Sequence, residues 1–284
     1  MKVLVTGATG FIGYHLIKNL SNSNGLKIIA TGTKPIKNIK KKWDNTIPYK
    51  RADLNIKRKN WYSYFNAPDL LIHLAWQGLP NYNDRIHIEK NFPSSCDFIE
   101  NLIRYGTKKI VVIGTCFEYG MVEGELNEQM ESKPENKYAK AKDMLRKHLQ
   151  KLQKTTKFDL TWLRLFYTYG TGQGPNSIIS QLENSIKKKE KIFNMSNGDQ
   201  LRDYLPVNLL VDYIAKISLN NKVTGIVNCC SGQPISIKNL VEDYLRLKKY
   251  EIKLNLGFYP YPDFEPMNFW GSNSKLLKAI NNSQ

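Results

Sequence analysis

Short apolar runs alternate with longer amphipathic stretches from the start of the chain to about residue 165. Residues 2–5, 27–31, 70–73, 109–113 and 160–165 are nearly continuous apolar runs, the pattern of strands buried on both faces. Residues 12–20, 86–105 and 137–152 carry apolar positions at helical spacing, and each stretch lies between two of those runs. Strands alternating with helices predict βαβ units and a parallel sheet. After Gly170 the rhythm breaks down. A helix is predicted over 177–188, a loop over 195–202, a helix over 208–219, a strand over 225–228 and a helix over 237–246. The tail from 250 to 270 is dense in Pro, Tyr and Phe and receives no element. The pattern predicts the α/β class: a doubly wound parallel sheet with a smaller C-terminal lobe interleaved with its last elements.

Composition alters this picture little. The chain has 284 residues, 41% hydrophobic and 24% charged, which suits a globular protein with a substantial core. No run of about 20 apolar residues is present, so no membrane partner is expected. The apolar run at 2–5 is too short for a signal-peptide core, which makes the cytoplasm the expected compartment. Cys96, Cys116, Cys229 and Cys230 show no zinc spacing, the four histidines are scattered, and no metal is expected. The formal net charge of +17 raises the question of nucleic acid. Its densest runs, 37–42 and 187–191, have no interleaved aromatics, so a solvated lysine-rich surface is the better reading and no nucleic-acid partner is expected. Such a field still favours capture of an anionic small molecule.

Two local patterns carry chemistry. Gly7-Ala8-Thr9-Gly10-Phe11-Ile12-Gly13 joins the first strand to the first helix. Glycines there let the backbone turn tightly beside a pyrophosphate, and the helix N-terminus supplies N–H groups and positive potential. The second strand ends in Thr31-Gly32-Thr33-Lys34, with no acid to hold ribose hydroxyls. Thr33 and Lys34 suit a 2′-phosphate, so NADP(H) is favoured and NAD(H) is the alternative. Second, Tyr138 and Lys142 lie four apart on a predicted helix and project from one face. A free phenol titrates at about 10, and a neighbouring ammonium is expected to lower that value and ready it for proton exchange.

The Gly-x-x-Gly-x-x-Gly spacing, the Tyr-x-x-x-Lys pair and the strand ending Gly114-Thr115 resemble the extended short-chain dehydrogenase/reductases. Within them the chain is similar to the NAD-dependent epimerase/dehydratase family, which modifies nucleotide sugars. The resemblance runs from Lys2 to about Val241. It implies a Rossmann NAD(P)-binding domain over 1–170, completed by about 206–230, and a substrate-binding lobe over 171–205 and 231–284. It assigns Thr115, Tyr138 and Lys142 to catalysis: Tyr138 as acid/base, Lys142 as its partner on the nicotinamide ribose, and Thr115 as donor to the reacting oxygen. It places Gly7, Thr9, Gly10, Phe11, Ile12, Gly13, Thr33 and Lys34 at the cofactor, Asp53 and Leu54 at adenine, and Leu74, Ala75, Trp76 and Asn91 along the groove. Thr115, Cys116, Phe117, Asn176 and Arg202 are assigned to substrate, with Arg202 on the diphosphate. Dehydratases of the family carry Asp-Glu where this chain has Cys116-Phe117, and a thiol and a phenyl ring cannot eliminate water. The reading that follows is NADP-dependent reduction of the 4-keto group of a nucleotide-diphosphate-linked deoxysugar. A nucleotide-sugar 4-epimerase with tightly bound NAD is the alternative, and a non-catalytic dinucleotide sensor a third. A homodimer through the helices bearing Asn91 and Tyr138 is the expected assembly.

Overall fold

The computed structural model describes residues 1–35, 43, 46–261 and 265–281; the lysine run at 37–42 lies outside them. Seven strands form the central sheet: β1 (Lys2–Thr6), β2 (Lys27–Gly32), β3 (Tyr49–Arg51), β4 (Leu70–His73), β5 (Lys109–Thr115), β7 (Asp159–Leu165) and β11 (Gly225–Cys229). Every pairing is parallel, and the order is β11-β7-β5-β4-β1-β2-β3. The winding reverses at β1, which has β2 on one side and β4 on the other. A crevice therefore opens beyond the carboxyl ends of β1 and β4, the usual place for a ligand in such sheets. β5 is buried at every position, because helices cover both faces.

On one face lie α1 (Phe11–Leu20) and α6 (Val207–Leu219), whose Leu16, Ile17, Val211 and Ile214 meet Val3, Val5 and Val111. On the other lie α2 (Trp61–Tyr64), α3 (Phe92–Tyr105) and α4 (Lys137–Leu152), with Phe98, Leu102, Leu145 and Leu149 packed on Leu4, Leu71 and Val112. The predicted helix over 86–105 is divided. Residues His87–Asn91 form one π-helical turn before α3 begins, and Pro93 occupies the first turn of α3, where no N–H partner is needed.

The remaining elements gather at the C-terminal side of the chain. They are β8 (Tyr167–Tyr169), α5 (Ile178–Lys187), β9 (Ile192–Asn194), β10 (Leu201–Pro206), β12 (Pro234–Ser236), α7 (Ile237–Lys248) and β13 (Lys253–Asn255). Leu182, Phe193, Met195, Val241 and Leu245 make a separate small core among α5, β9 and α7. The segment read as a loop ends instead in β10, which pairs with β8 and β12. The tail is also more ordered than its composition suggests. β14 (Phe269–Gly271) pairs with β6 (Gly124–Leu126), and α8 (Ser274–Asn281) buries Leu276. No helix among the described residues is long and apolar enough to cross a membrane.

Candidate active site

The glycine turn builds one wall of the crevice. Gly7 has φ +66°, and a Cβ on it would stand 2.7 Å from Ala75 N, so only glycine lets β1 turn this close to the segment after β4. A Cβ at Gly13 would stand 2.2 Å from Gly7 O, so α1 seats directly on the turn. Gly10 caps α1 without a side chain and leaves the first helical N–H groups facing outward. The groove this frames has a volume of about 220 Å³. Of the expected cofactor residues, Gly7, Thr9, Gly10, Thr33, Leu54, Leu74, Ala75, Trp76 and Asn91 line it. Phe11, Ile12 and Gly13 stand behind it as the first turn of α1, and Lys34 and Asp53 lie outside the lining.

Several side chains there are already engaged. The Asp53 carboxylate accepts from Asn55 N at 3.0 Å and Asn55 Nδ2 at 2.9 Å, an Asx-type turn. The Asn91 amide donates to Gln77 O at 2.9 Å and so holds the loop after β4. Arg51 Nε donates to Thr33 O at 2.9 Å, which sets a guanidinium beside the end of β2. The Thr31 hydroxyl lines the groove, buried and with no partner among the described residues. A glycine cradle, an open helix N-terminus and an unpartnered buried hydroxyl together fit a dinucleotide.

Across the crevice, β5 ends in Thr115, whose hydroxyl accepts from Phe117 N at 3.3 Å and caps the 3₁₀ turn Cys116–Tyr119. Glu118 closes the reciprocal half of this capping box by accepting from Thr115 N at 2.9 Å. Asn136 caps α4 by accepting from Ala139 N at 2.8 Å, which starts the helix one residue before Tyr138. Tyr138 is 8% exposed and Lys142 1%. The Thr115 hydroxyl lies close enough to the Tyr138 phenol to favour its ionised form. The three expected residues therefore meet at one end of β5. Lys142 Nζ donates to Ile113 O at 2.7 Å and lies 3.9 Å from the Trp76 ring centroid.

The electrostatics differ from expectation at one point. Burial pushes the Tyr138 phenol far above its ordinary value, with Tyr82, Glu118 and Cys116 adding to the rise. Lys142 does not offset this, because its ammonium has lost its proton before the phenol would ionise. Lys142 is itself lowered to about 7, by burial, with the Glu118 carboxylate opposing. His73, buried at the end of β4, is lowered to about 3 by burial and then by Lys142. Its ring meets the Thr6 hydroxyl at 3.0 Å and the Ser95 hydroxyl at 3.3 Å.

On the substrate side the placement is mixed. Phe117 faces Tyr82 at a centroid distance of 5.1 Å and Tyr167 at 6.2 Å. The Cys116 thiol is buried and pushed well up, mainly by burial, so it is a packing group without a thiolate's reactivity. Asn176 is exposed, and its carbonyl caps the Gln181 amide at 2.8 Å. Arg202, expected to reach a diphosphate, is instead 1% exposed. Its guanidinium donates to Glu265 Oε2 at 2.9 Å and to Met267 O at 2.9 Å. Nor does it pair with Asp203, which accepts from Ser231 N, Gly232 N and Gly271 N. A second cavity, of about 850 Å³, opens between the loop at 170–175, α5, β9 and Tyr259.

A family model for the NAD dependent epimerase/dehydratase family matches residues 3–230. The chain belongs to this family. It is an enzyme of the extended short-chain dehydrogenase/reductase type. Two curated relatives come from Aggregatibacter actinomycetemcomitans. One, a dTDP-6-deoxy-L-talose 4-dehydrogenase (NAD(+)), is 28% identical over 96% of this chain and 100% of its own length. The other, a GDP-6-deoxy-D-talose 4-dehydrogenase, is 27% identical over 99% of this chain and 92% of its own. Among solved structures, a UDP-N-acetylglucosamine 4-epimerase from Methanobrevibacter ruminantium M1 superposes with a TM-score of 0.85 at 20% identity, over 98% of this chain and 91% of that one.

Glu118 was legible as the last residue of Thr115-Cys116-Phe117-Glu118, a capping-box spacing at the end of an apolar strand. Tyr82, whose carbonyl accepts from Tyr138 N at 2.9 Å, and His87 gave no comparable signal. They sit in the loop and the π-helical turn that follow β4 and reach the site only through tertiary packing.

Proposed function

We propose that this epimerase/dehydratase-family enzyme reduces the 4-keto group of a nucleoside-diphosphate-linked 6-deoxyhexose. The observation that carries the reading is the convergence of Thr115, Tyr138 and Lys142 at the end of β5, across the crevice from the glycine turn. A nicotinamide dinucleotide held by the glycine turn and the groove beside it would supply the hydride to the sugar's C4. Thr115 orients the C4 oxygen through its hydroxyl, and Tyr138 donates the proton that oxygen needs as the carbonyl becomes an alcohol. Burial keeps the phenol protonated, the form from which a donor must start. Lys142 holds its place against Ile113 O, one turn of α4 from Tyr138 and against the ring of Trp76, which lines the groove. The 4-dehydrogenase relatives support chemistry at C4 with net redox change, in preference to epimerisation.

NADPH is the proposed reductant, on the ground that Gly32 stands where a ribose-binding acid would be and Arg51 supplies positive charge beside it. The dTDP-6-deoxy-L-talose relative carries NAD(+) in its description, so the ratio of kcat/KM for NADPH over NADH is the deciding number. A homodimer built on α3 and α4 belongs to the same reading, and light scattering checks it.

The test is loss of absorbance at 340 nm with dTDP- and GDP-linked 4-keto-6-deoxysugars, for wild type and Tyr138→Phe. Stoichiometric oxidation of NADPH by the wild type alone supports the proposal. Interconversion of 4-epimers by a purified enzyme that retains NAD, without net cofactor turnover, replaces it with the epimerase reading.

A further inference from the structure

Trp76 has no role in the chemistry just described, yet it touches both helical residues of the site. Its ring centroid lies 3.9 Å from Lys142 Nζ and 6.1 Å from the Tyr138 ring centroid, at an interplanar angle of 72°. The indole is itself held in place. Its Nε1 donates to His87 Nδ1 at 3.1 Å, and His87 Nε2 donates to Asn81 O at 2.7 Å. An indole N–H can only donate and a carbonyl can only accept, so the two bonds fix the imidazole as the Nε2–H tautomer. His87 is fully buried and opens the π-helical turn, a local widening that aims it back at the loop after β4.

Lys142 needs such support. It is buried, and among the described residues no carboxylate pairs with it. The groups facing its charge are Glu118 from the 3₁₀ turn, His73 from the end of β4 and Tyr138 one turn away on α4. Glu118 is already surrounded by Thr115 N, Trp162 Nε1 and Arg164 Nε. An aromatic face attracts an ammonium most strongly where water is excluded.

We infer that Trp76, oriented by His87, is a positioning residue for Lys142: its indole, on the wall of the cofactor groove, holds the ammonium against the Ile113 carbonyl, one turn of α4 from Tyr138. The inference rests on the reading of Lys142 as partner to Tyr138, but it concerns where that charge is held and can be tested apart from turnover. Loss of the face disfavours the ammonium and moves its titration to lower pH.

The experiment is an NMR titration of the lysine ammonium groups in protein labelled at lysine ¹³Cε and ¹⁵Nζ, with Lys142→Met providing the assignment. Wild type is compared with Trp76→Leu and Trp76→Phe, and kcat is followed against pH where turnover is found. In Trp76→Leu the Lys142 midpoint moves down by about one pH unit, and Trp76→Phe, which keeps a ring, recovers most of the shift. The alkaline limb of kcat moves by the same amount, so turnover well above the midpoint falls about tenfold. Should Trp76→Leu fail to fold, His87→Leu, which removes the indole's acceptor and leaves the ring, carries the same expectation. A midpoint unchanged in Trp76→Leu, or Trp76→Phe no closer to wild type than Trp76→Leu, overturns the inference. A shifted midpoint in a protein that turns over none of the sugars upholds it and counts against the proposed reaction alone.

Discussion

Lys142 and Glu118 are both fully buried charges at the end of β5, yet the fold treats them in opposite ways. Glu118 accepts from Thr115 N, from Trp162 Nε1 at 2.9 Å and from Arg164 Nε at 2.8 Å, with Arg146 Nε a further 3.8 Å away. Arg146 in turn bonds Asp143, which also takes Lys147 at 2.8 Å. Lys142 has one carbonyl and one ring face. A fully partnered buried charge fixes structure. An under-compensated one is kept close to its titration point, where it can respond to a ligand. The same strand end is therefore packed against an anchor, from the turn that follows it, and a working group, from α4.

The contrast can be broken by removing each charge in turn. Lys142→Met lowers kcat by ~10²–10⁴ while the melting temperature holds or rises, since the lost charge was costly to bury; unchanged turnover would make Lys142 a structural residue. Glu118→Ala does the reverse first. It leaves Arg164 buried without its carboxylate and lowers unfolding stability by about 3–5 kcal/mol, read from urea titration.

The pH dependence of stability sharpens the comparison further. Lys142 titrates at about 7 in the fold against 10.5 ordinarily. Between those values the unfolded chain carries a proton that the folded chain has released, so this group's contribution to stability rises with pH across the window. Below it, the full cost of the buried charge is present. The melting temperature of Lys142→Met should therefore exceed that of wild type by more at about pH 6 than at about pH 9. A constant gap would show that the ammonium is not desolvated. The smallest effect belongs to the rim of the anchor, where Lys147 is 62% exposed. Lys147→Ala should cost no more than about 0.5 kcal/mol by the same urea titration.

What could be read from the sequence follows the range over which each feature is determined. The glycine turn, the Tyr138–Lys142 pair and the strand ending in Thr115 are local spacings, and the structure brings them together at one crevice because a doubly wound sheet leaves little choice of place. The parallel strands were visible for the same reason, as unbroken apolar runs. β3 escaped because it is three residues long and reads Tyr-Lys-Arg. β14 escaped because its strand character comes from a partner, β6, far back along the chain. The pairing of Arg202 with Glu265 was hidden for a similar cause. Charge and geometry fitted the arginine to a phosphate, but nothing nearby in sequence announced that Glu265 would occupy the guanidinium first. Likewise the spacing of Tyr138 and Lys142 showed that they are neighbours, and not that the ammonium would turn toward Ile113 O.

The grip of Glu265 on Arg202 also sets an order of events during synthesis. The two residues are 63 positions apart in the chain. At a ribosomal pace of roughly 5–20 residues per second, the arginine waits about 3–13 s for its partner to be made. Asp203 waits longer still for Gly271 N. Over that interval β10 can pair with β8 but lacks Glu265 and the Gly271 amide, whereas the sheet strands up to β7 are already in hand. The nascent chain thus has reason to assemble the first strands of the central sheet early and to fix Arg202 and Asp203 only as the final segment arrives.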